Sequence, residues 1–248
     1  MSDKKTFIVG GDINRSLNGE YQFDISGLFK QGWQLTQQHK WLIVQMVLLV
    51  FCIAVAVVVV MLKLLGITDL TQIPADIQRM IDILLTVLLA PFFTAIMATG
   101  VNHAVGGKGR LSHLFNLLPK AAFLGLTSLL ITLLVQIGLI FLIIPGLYLT
   151  IATSFSLLLV AEKQLSPFKA IALSIKMVNR YWLDFIKVYL IFTLLFLSVI
   201  ITFGISMIWV APMYYHIQGI LYRDLFGIKV MDHTEGQMGE QNESIFHA

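Results

Sequence analysis

The sequence predicts an all-α polytopic transmembrane bundle: six spans arranged as three hairpins, with amphipathic elbow helices on the cytoplasmic side. Three observations predict it. The 248 residues are 57% apolar and only 12% charged, and their mean hydropathy of +0.83 lies well above the soluble range. Several charge-free runs reach the roughly 20 helical residues that cross a hydrocarbon core about 30 Å thick. Finally, 15 of the 17 Lys and Arg residues fall on one side of a plane through those runs, with only Lys63 and Arg79 on the other.

The first span is expected at about 41–62, between Lys40 and Lys63, and the second at 81–101 with Pro91 near its middle. Residues 121–161 carry no charge and are interrupted by Pro145-Gly146, so they read as a hairpin with arms at 121–144 and 147–161. The second arm is short and could begin before the break. Residues 188–222 hold only His216 as a side chain titrating near neutral pH, and the sequence fits spans at 183–203 and 205–222, turning near Gly204. Residues 1–22 and 229–248 are polar, without a periodic apolar face, and are expected to be flexible tails around a membrane domain of 23–228. The second tail is mildly acidic through Asp232, Glu235, Glu240 and Glu243, and could fold onto basic surface.

The sorting of cations sets the orientation. With six crossings, the basic residues before the first span, in 102–120, in 162–187 and after the last span share a side, which places both termini in the cytoplasm. No apolar segment precedes residue 40, so the first span is expected to act as the insertion signal. The lone Cys52 lies inside that span and can form no intrachain disulfide.

Three segments begin alike, at Ile25-Ser26-Gly27-Leu28-Phe29, Leu111-Ser112-His113-Leu114-Phe115 and Leu165-Ser166-Pro167-Phe168, each ahead of one hairpin. Ser accepts from free amides of a first helical turn and Pro suits the first helical position, so all three read as helix starts in an elbow-plus-hairpin repeat. In the third elbow, Lys169, Lys176, Arg180 and Lys187 fall within about 20° of one direction on a helical wheel, opposite Phe168, Ile171, Ile175, Val178 and Trp182. Such a stripe suits anionic lipid or an acidic partner; it also suits a topology signal on a solvated face, diluted by Glu162 and Asp184.

Templates for chemistry are absent. The run from His103 to Arg110 has the glycines of a phosphate cradle without its spacing or its hydroxyl after Lys108, which leaves a flexible loop or a headgroup site formed by Lys108 and Arg110. No His pair has zinc-hydrolase spacing, no G-x-S-x-G occurs and no acidic pair lies within a span. No enzyme activity, metal or cofactor is expected, and no nucleic acid partner.

Two ionisable side chains sit at membrane depth. Asp82 reads as a helix-start residue favoured by the helix dipole and by Arg79. His216 reads as an interfacial or interhelical hydrogen-bond partner, or as a proton carrier. Hydroxyl residues in spans three and four, among them Thr127, Ser128, Thr132, Thr150 and Thr153, could line a polar groove or join neighbouring helices. Gln136 lies deep in its span and a buried amide needs several partners. Gln45 is about one turn from Trp41 and could reach the interface.

The segments Leu133-Leu134-Val135-Gln136-Ile137-Gly138 and Ile144-Pro145-Gly146-Leu147-Tyr148-Leu149, then the stretch from Glu162 to Trp182, resemble the YciC family of bacterial inner-membrane proteins. They are also similar to membrane domains of the kind attached to glycerophosphodiester phosphodiesterases, as are Phe23 to Trp41 and the closing Leu221-Tyr222-Arg223-Asp224-Leu225-Phe226-Gly227. The resemblance implies a six-span inner-membrane protein, and it carries over no catalytic residue. The expectation is therefore a non-enzymatic protein of the bacterial inner membrane that serves envelope or membrane-lipid homeostasis. It would act through anionic lipids, a protein partner or a second copy of itself; the alternative is a small transporter or flippase with a groove between spans three and four.

Overall fold

The computed structural model describes residues 6–67, 73–231 and 243–244. A short strand, β1 (Thr6–Val9), and a one-turn helix, α1 (Ile13–Leu17), precede the long helices α2 (Ile25–Leu64) and α3 (Ala75–Ala104). Two 3-10 turns, Leu111–Phe115 and Leu118–Lys120, lead to α4 (Ala121–Phe141), α5 (Ile143–Ala152) and α6 (Ser156–Lys163). Then come α7 (Pro167–Arg180), α8 (Trp182–Ile201), α9 (Met207–Phe226), β2 (Ile228–Met231) and β3 (Glu243–Ser244).

Five helical stretches are long and apolar enough to cross a membrane: Ile25–Leu64, Ala75–Ala104, Leu111–Phe141, Ile143–Lys163 and Trp182–Ile201. The expected sixth span corresponds to α9, which is 20 residues long but carries His216, Gln218, Arg223 and Asp224. Much of it is buried, because α2 and α3 pack along it. Gly100 and Gly219 permit that approach: a Cβ on Gly100 would collide with the Tyr215 carbonyl, and one on Gly219 with the Gly100 backbone.

Several boundaries differ from expectation for local reasons. The first elbow is no separate helix, because α2 runs 40 residues, or about 60 Å at 1.5 Å per residue, and so extends well beyond a hydrocarbon core. Its N-cap is Asp24, whose carboxylate accepts from the Gly27 amide at 3.0 Å, in place of Ser26. The break in the third and fourth arms falls at Leu142, with φ −166° and ψ 155°, three residues before Pro145. Pro145 has no amide to give the Phe141 carbonyl and its ring crowds that turn, so the chain must leave the helix upstream of it. α3 begins at Ala75, so the acidic residue of its first turn is Asp76; Asp82 lies two turns in, exposed, beyond the reach of the terminal dipole.

The fold is also not purely helical, and residues 6–22 do not behave as a tail. β1 pairs antiparallel with β2, Val9 opposite Ile228 and Thr6 opposite Met231, and β2 pairs with β3. The apolar and β-branched runs Thr6–Val9 and Ile228–Met231 suit pairing, and Ile228 and Val230 are buried in the main core. Tyr21 and Phe23 pack edge-on in an aromatic group with Tyr181 and Phe185. Of the acidic tail, Glu243 pairs through its backbone with Met231, while Asp232, Glu235 and Glu240 lie outside the described residues.

The main core gathers Phe155, Phe185, Tyr222 and Phe226 where α6, α8 and α9 meet. A second cluster, Ile43, Met46, Val50, Leu89, Phe92, Ile96 and Leu114, joins α2 to α3.

Candidate functional site

Polar contacts concentrate on one face of the bundle, and they tie together segments far apart in sequence. Tyr181 Oη donates to the Ser16 carbonyl at 2.7 Å and accepts from the Tyr21 amide at 3.1 Å. Lys163 Nζ reaches the Gly227 carbonyl at 2.7 Å, Lys120 Nζ the Ala161 carbonyl at 2.7 Å, and Arg223 Nη1 the Ala104 carbonyl at 2.6 Å. Each cation meets carbonyls near a helix or strand end, where backbone acceptors lack intrahelical partners. Tyr21 is partly buried and its hydroxyl lies 3.4 Å from Asp224; burial first, and that carboxylate second, push its pKa above the usual tyrosine value.

The basic stripe is present but shorter than the helical wheel suggests. α7 starts at Pro167 and buries Ala170, Ile171, Ser174, Met177 and Val178, leaving Lys169, Lys176 and Arg180 exposed. Ser174 fixes the helix by donating to the Ala152 carbonyl at 2.7 Å and accepting from the Phe155 amide at 3.3 Å, which satisfies the break between α5 and α6. Arg180 is drawn to the Asn18 carbonyl at 2.8 Å, and Lys187 pairs with Asp184 at 3.0 Å. Lys169 and Lys176 are thus the stripe cations with neither a side-chain hydrogen bond nor an ion pair among the described residues. Lys108 and Arg110 are exposed in the glycine segment, which carries its own hydrogen bonds. The Gly107 amide bonds the Asn102 carbonyl at 2.9 Å, Asn102 Nδ2 donates to the Lys108 carbonyl at 3.2 Å, and the Arg110 amide donates to His113 Nδ1 at 3.1 Å.

The expected intramembrane residues fare differently from one another. Gln136 and Gln45 are both exposed rather than buried between helices. The α4–α5 interface is closed where Gly138 and Gly146 meet, a Cβ on Gly138 lying 3.0 Å from the Gly146 backbone. Most hydroxyls discharge on their own helix: Thr127 bonds the Phe123 carbonyl at 2.6 Å, Thr150 that of Gly146 at 3.0 Å and Thr153 that of Leu149 at 2.8 Å.

His216 is fully buried and belongs to a cluster that sequence reasoning missed. Thr36 Oγ1 donates to the Gly32 carbonyl at 2.8 Å, so at its 3.1 Å contact with His216 Nδ1 the imidazole must be the donor. His216 Nε2 then accepts from His103 Nδ1 at 3.0 Å, which makes His216 the Nδ1–H tautomer and His103 Nδ1 a donor. His39 stacks on His103 with centroids 4.3 Å apart. The signal was available: His103 is one turn after Gly100 and His216 one turn before Gly219, so each sits beside the glycine at which α3 and α9 touch. The chain joins α2, α3 and α9. Nearby on α9, Gln218 Nε2 donates to Tyr189 Oη at 2.7 Å. Among the described residues no group of three or more His, Cys, Asp or Glu is arranged to hold a metal ion.

Cavities open beside charged side chains. One of about 390 Å³ lies under the Gly10-Gly11 loop beside Asp12, Tyr21 and Asp224. Another, about 430 Å³, is lined by Lys120, Phe123, Val160, Gln164, Leu165 and Ser166.

No protein-family model, no curated protein and no solved structure matches this chain.

Proposed function

We propose that this chain is an inner-membrane protein of six passes with both termini cytoplasmic, similar to the YciC family. Its work is then non-catalytic recognition of anionic lipid, or of a protein partner on that surface, in support of membrane-lipid or envelope homeostasis. The passage count draws support from the single face on which Ser16, Ala104, Ala161, Tyr181 and Gly227 meet, since an even number of traverses returns all of these segments to one side. The cation bias of that face favours the cytoplasm.

The observation that carries the lipid reading is α7, which buries Ala170, Ile171, Met177 and Val178 while Lys169 and Lys176 stand exposed beside the exposed Phe168. Two such cations in the cytoplasmic leaflet supply about 2 kcal/mol toward anionic lipid. In vesicles of mixed phosphatidylglycerol and phosphatidylcholine, the chain should enrich phosphatidylglycerol around itself, and Lys169→Gln with Lys176→Gln should reduce that enrichment. Unchanged enrichment in the double variant would refute the role. The transporter alternative draws no support from the α4–α5 interface, where the two helices touch at glycine and Gln136 is exposed.

A further inference from the structure

Resting on that lipid reading and giving it a site, we propose that the cavity between the starts of α4 and α7 and the end of α6 binds one anionic phospholipid. Its phosphate would sit on Lys120 and its acyl chain along Phe123, Val160 and Leu165. The cavity of about 430 Å³ falls within the roughly 300–1,000 Å³ of small-molecule sites. Lys120 and Glu162 bound the 41 charge-free residues 121–161, so the cavity lies in the plane where apolar chain meets charge, the depth of lipid phosphates. Its lining divides as an amphiphile does, with Lys120, Gln164 and Ser166 polar and Phe123, Val160 and Leu165 apolar. Phe123 is 62% exposed and carries the apolar wall out to the bundle surface, where acyl chains run.

The polar side chains are placed for an anion. Lys120 is held by one hydrogen bond to the Ala161 carbonyl, and its ammonium has two further protons to give. Glu162, next to Ala161 in the chain, accepts from Tyr222 Oη at 2.8 Å and pairs with Lys163 at 3.0 Å. Ser166 caps α7 without a side-chain cap bond, so its hydroxyl is not committed to the helix start. Gln164 adopts φ 53° and ψ 34°, a left-handed position where glycine or asparagine is usual, and it places a long amide in the cavity wall.

The test uses the full chain in neutral detergent, with native mass spectrometry against phosphatidylglycerol and phosphatidylcholine of matched chains. One phosphatidylglycerol per chain should be retained in preference to phosphatidylcholine. Lys120→Gln keeps a donor for the Ala161 carbonyl but removes the charge, and should weaken retention about tenfold. Gln164→Gly should weaken it severalfold with Tm unchanged or raised, because glycine adopts that backbone freely. Lys169→Gln with Lys176→Gln should leave this single lipid in place while reducing bulk selectivity, so the cavity and the stripe fail separately. Equal retention by Lys120→Gln, Gln164→Gly and the unaltered chain would overturn the proposal. So would equal retention of phosphatidylcholine, or full displacement of the lipid by inorganic phosphate alone, which would assign the cavity to free phosphate.

Discussion

Helices α8 and α9 are consecutive and equal in length, yet they solve opposite problems. α8 presents Leu183, Ile186, Leu190, Leu194, Leu197 and Ile200 outward, so its apolar side chains face where lipid would be. α9 carries His216, Gln218, Arg223 and Asp224 and has 13 buried residues, from Val210 to Phe226. In water the more apolar helix would be the interior one. In hydrocarbon, exposure of an apolar side chain costs little, so apolarity no longer marks the core; close approach and internal hydrogen bonding do.

That contrast can be broken by substitution. The largest effect should come from Gly219→Val, which drives a branched side chain into the Gly100 backbone and should lower stability by about 3 kcal/mol or more, read as a fall in Tm in detergent. His216→Leu follows: it leaves Thr36 and His103 without their buried partner and should cost about 1–3 kcal/mol, while a fall below 0.5 kcal/mol would show that the imidazole chain does not hold α9 in place. Leu194→Ala on the outer face of α8, 63% exposed, should change stability by less than about 0.5 kcal/mol. If Leu194→Ala destabilises as much as His216→Leu, the assignment of inner and outer helices is wrong.

A smaller effect concerns pH where Tyr21 meets Asp224 and Tyr181. Tyr21 has a raised pKa, so its stabilising contribution is complete below the ordinary tyrosine value of about 10 and declines as pH rises through that value. Tryptic cleavage after Arg15 should therefore accelerate above about pH 10 in the unaltered chain and show less added pH dependence in Tyr21→Phe.

The apolar runs made most of the helices legible, because length and absence of charge alone decide what can cross hydrocarbon. Rotation about each helix axis was not legible. α4 is apolar all round, so nothing in the sequence said that Gln136 would face outward. The position of Pro145 announced a break, but the relief of its crowding lies upstream at Leu142. The pairing of Thr6–Val9 with Ile228–Met231 joins segments more than 200 residues apart, and four-residue runs of this kind give no signal until the helices bring them together. The extent of the basic stripe was not legible, since a wheel shows neither the end of α7 at Arg180, nor Arg180 reaching the Asn18 carbonyl, nor Lys187 reaching Asp184, nor the exposure of Phe168 and Trp182. For the histidines the sequence does carry a signal, since His103 and His216 each lie one turn from a glycine, Gly100 and Gly219, of the kind that lets apolar helices touch.

The central claim is that residues 6–22, the glycine segment and α7 share one face, opposite the C-terminal end of α2 and the α8–α9 turn. Single-cysteine labelling in vesicles of known orientation tests it most directly, using Asn18→Cys, Lys108→Cys, Lys176→Cys, Leu65→Cys and Ile205→Cys in a Cys52→Ser background. The first three should react with an impermeant maleimide from one side only, and the last two from the other. Labelling of Lys176→Cys from the same side as Ile205→Cys would contradict the account.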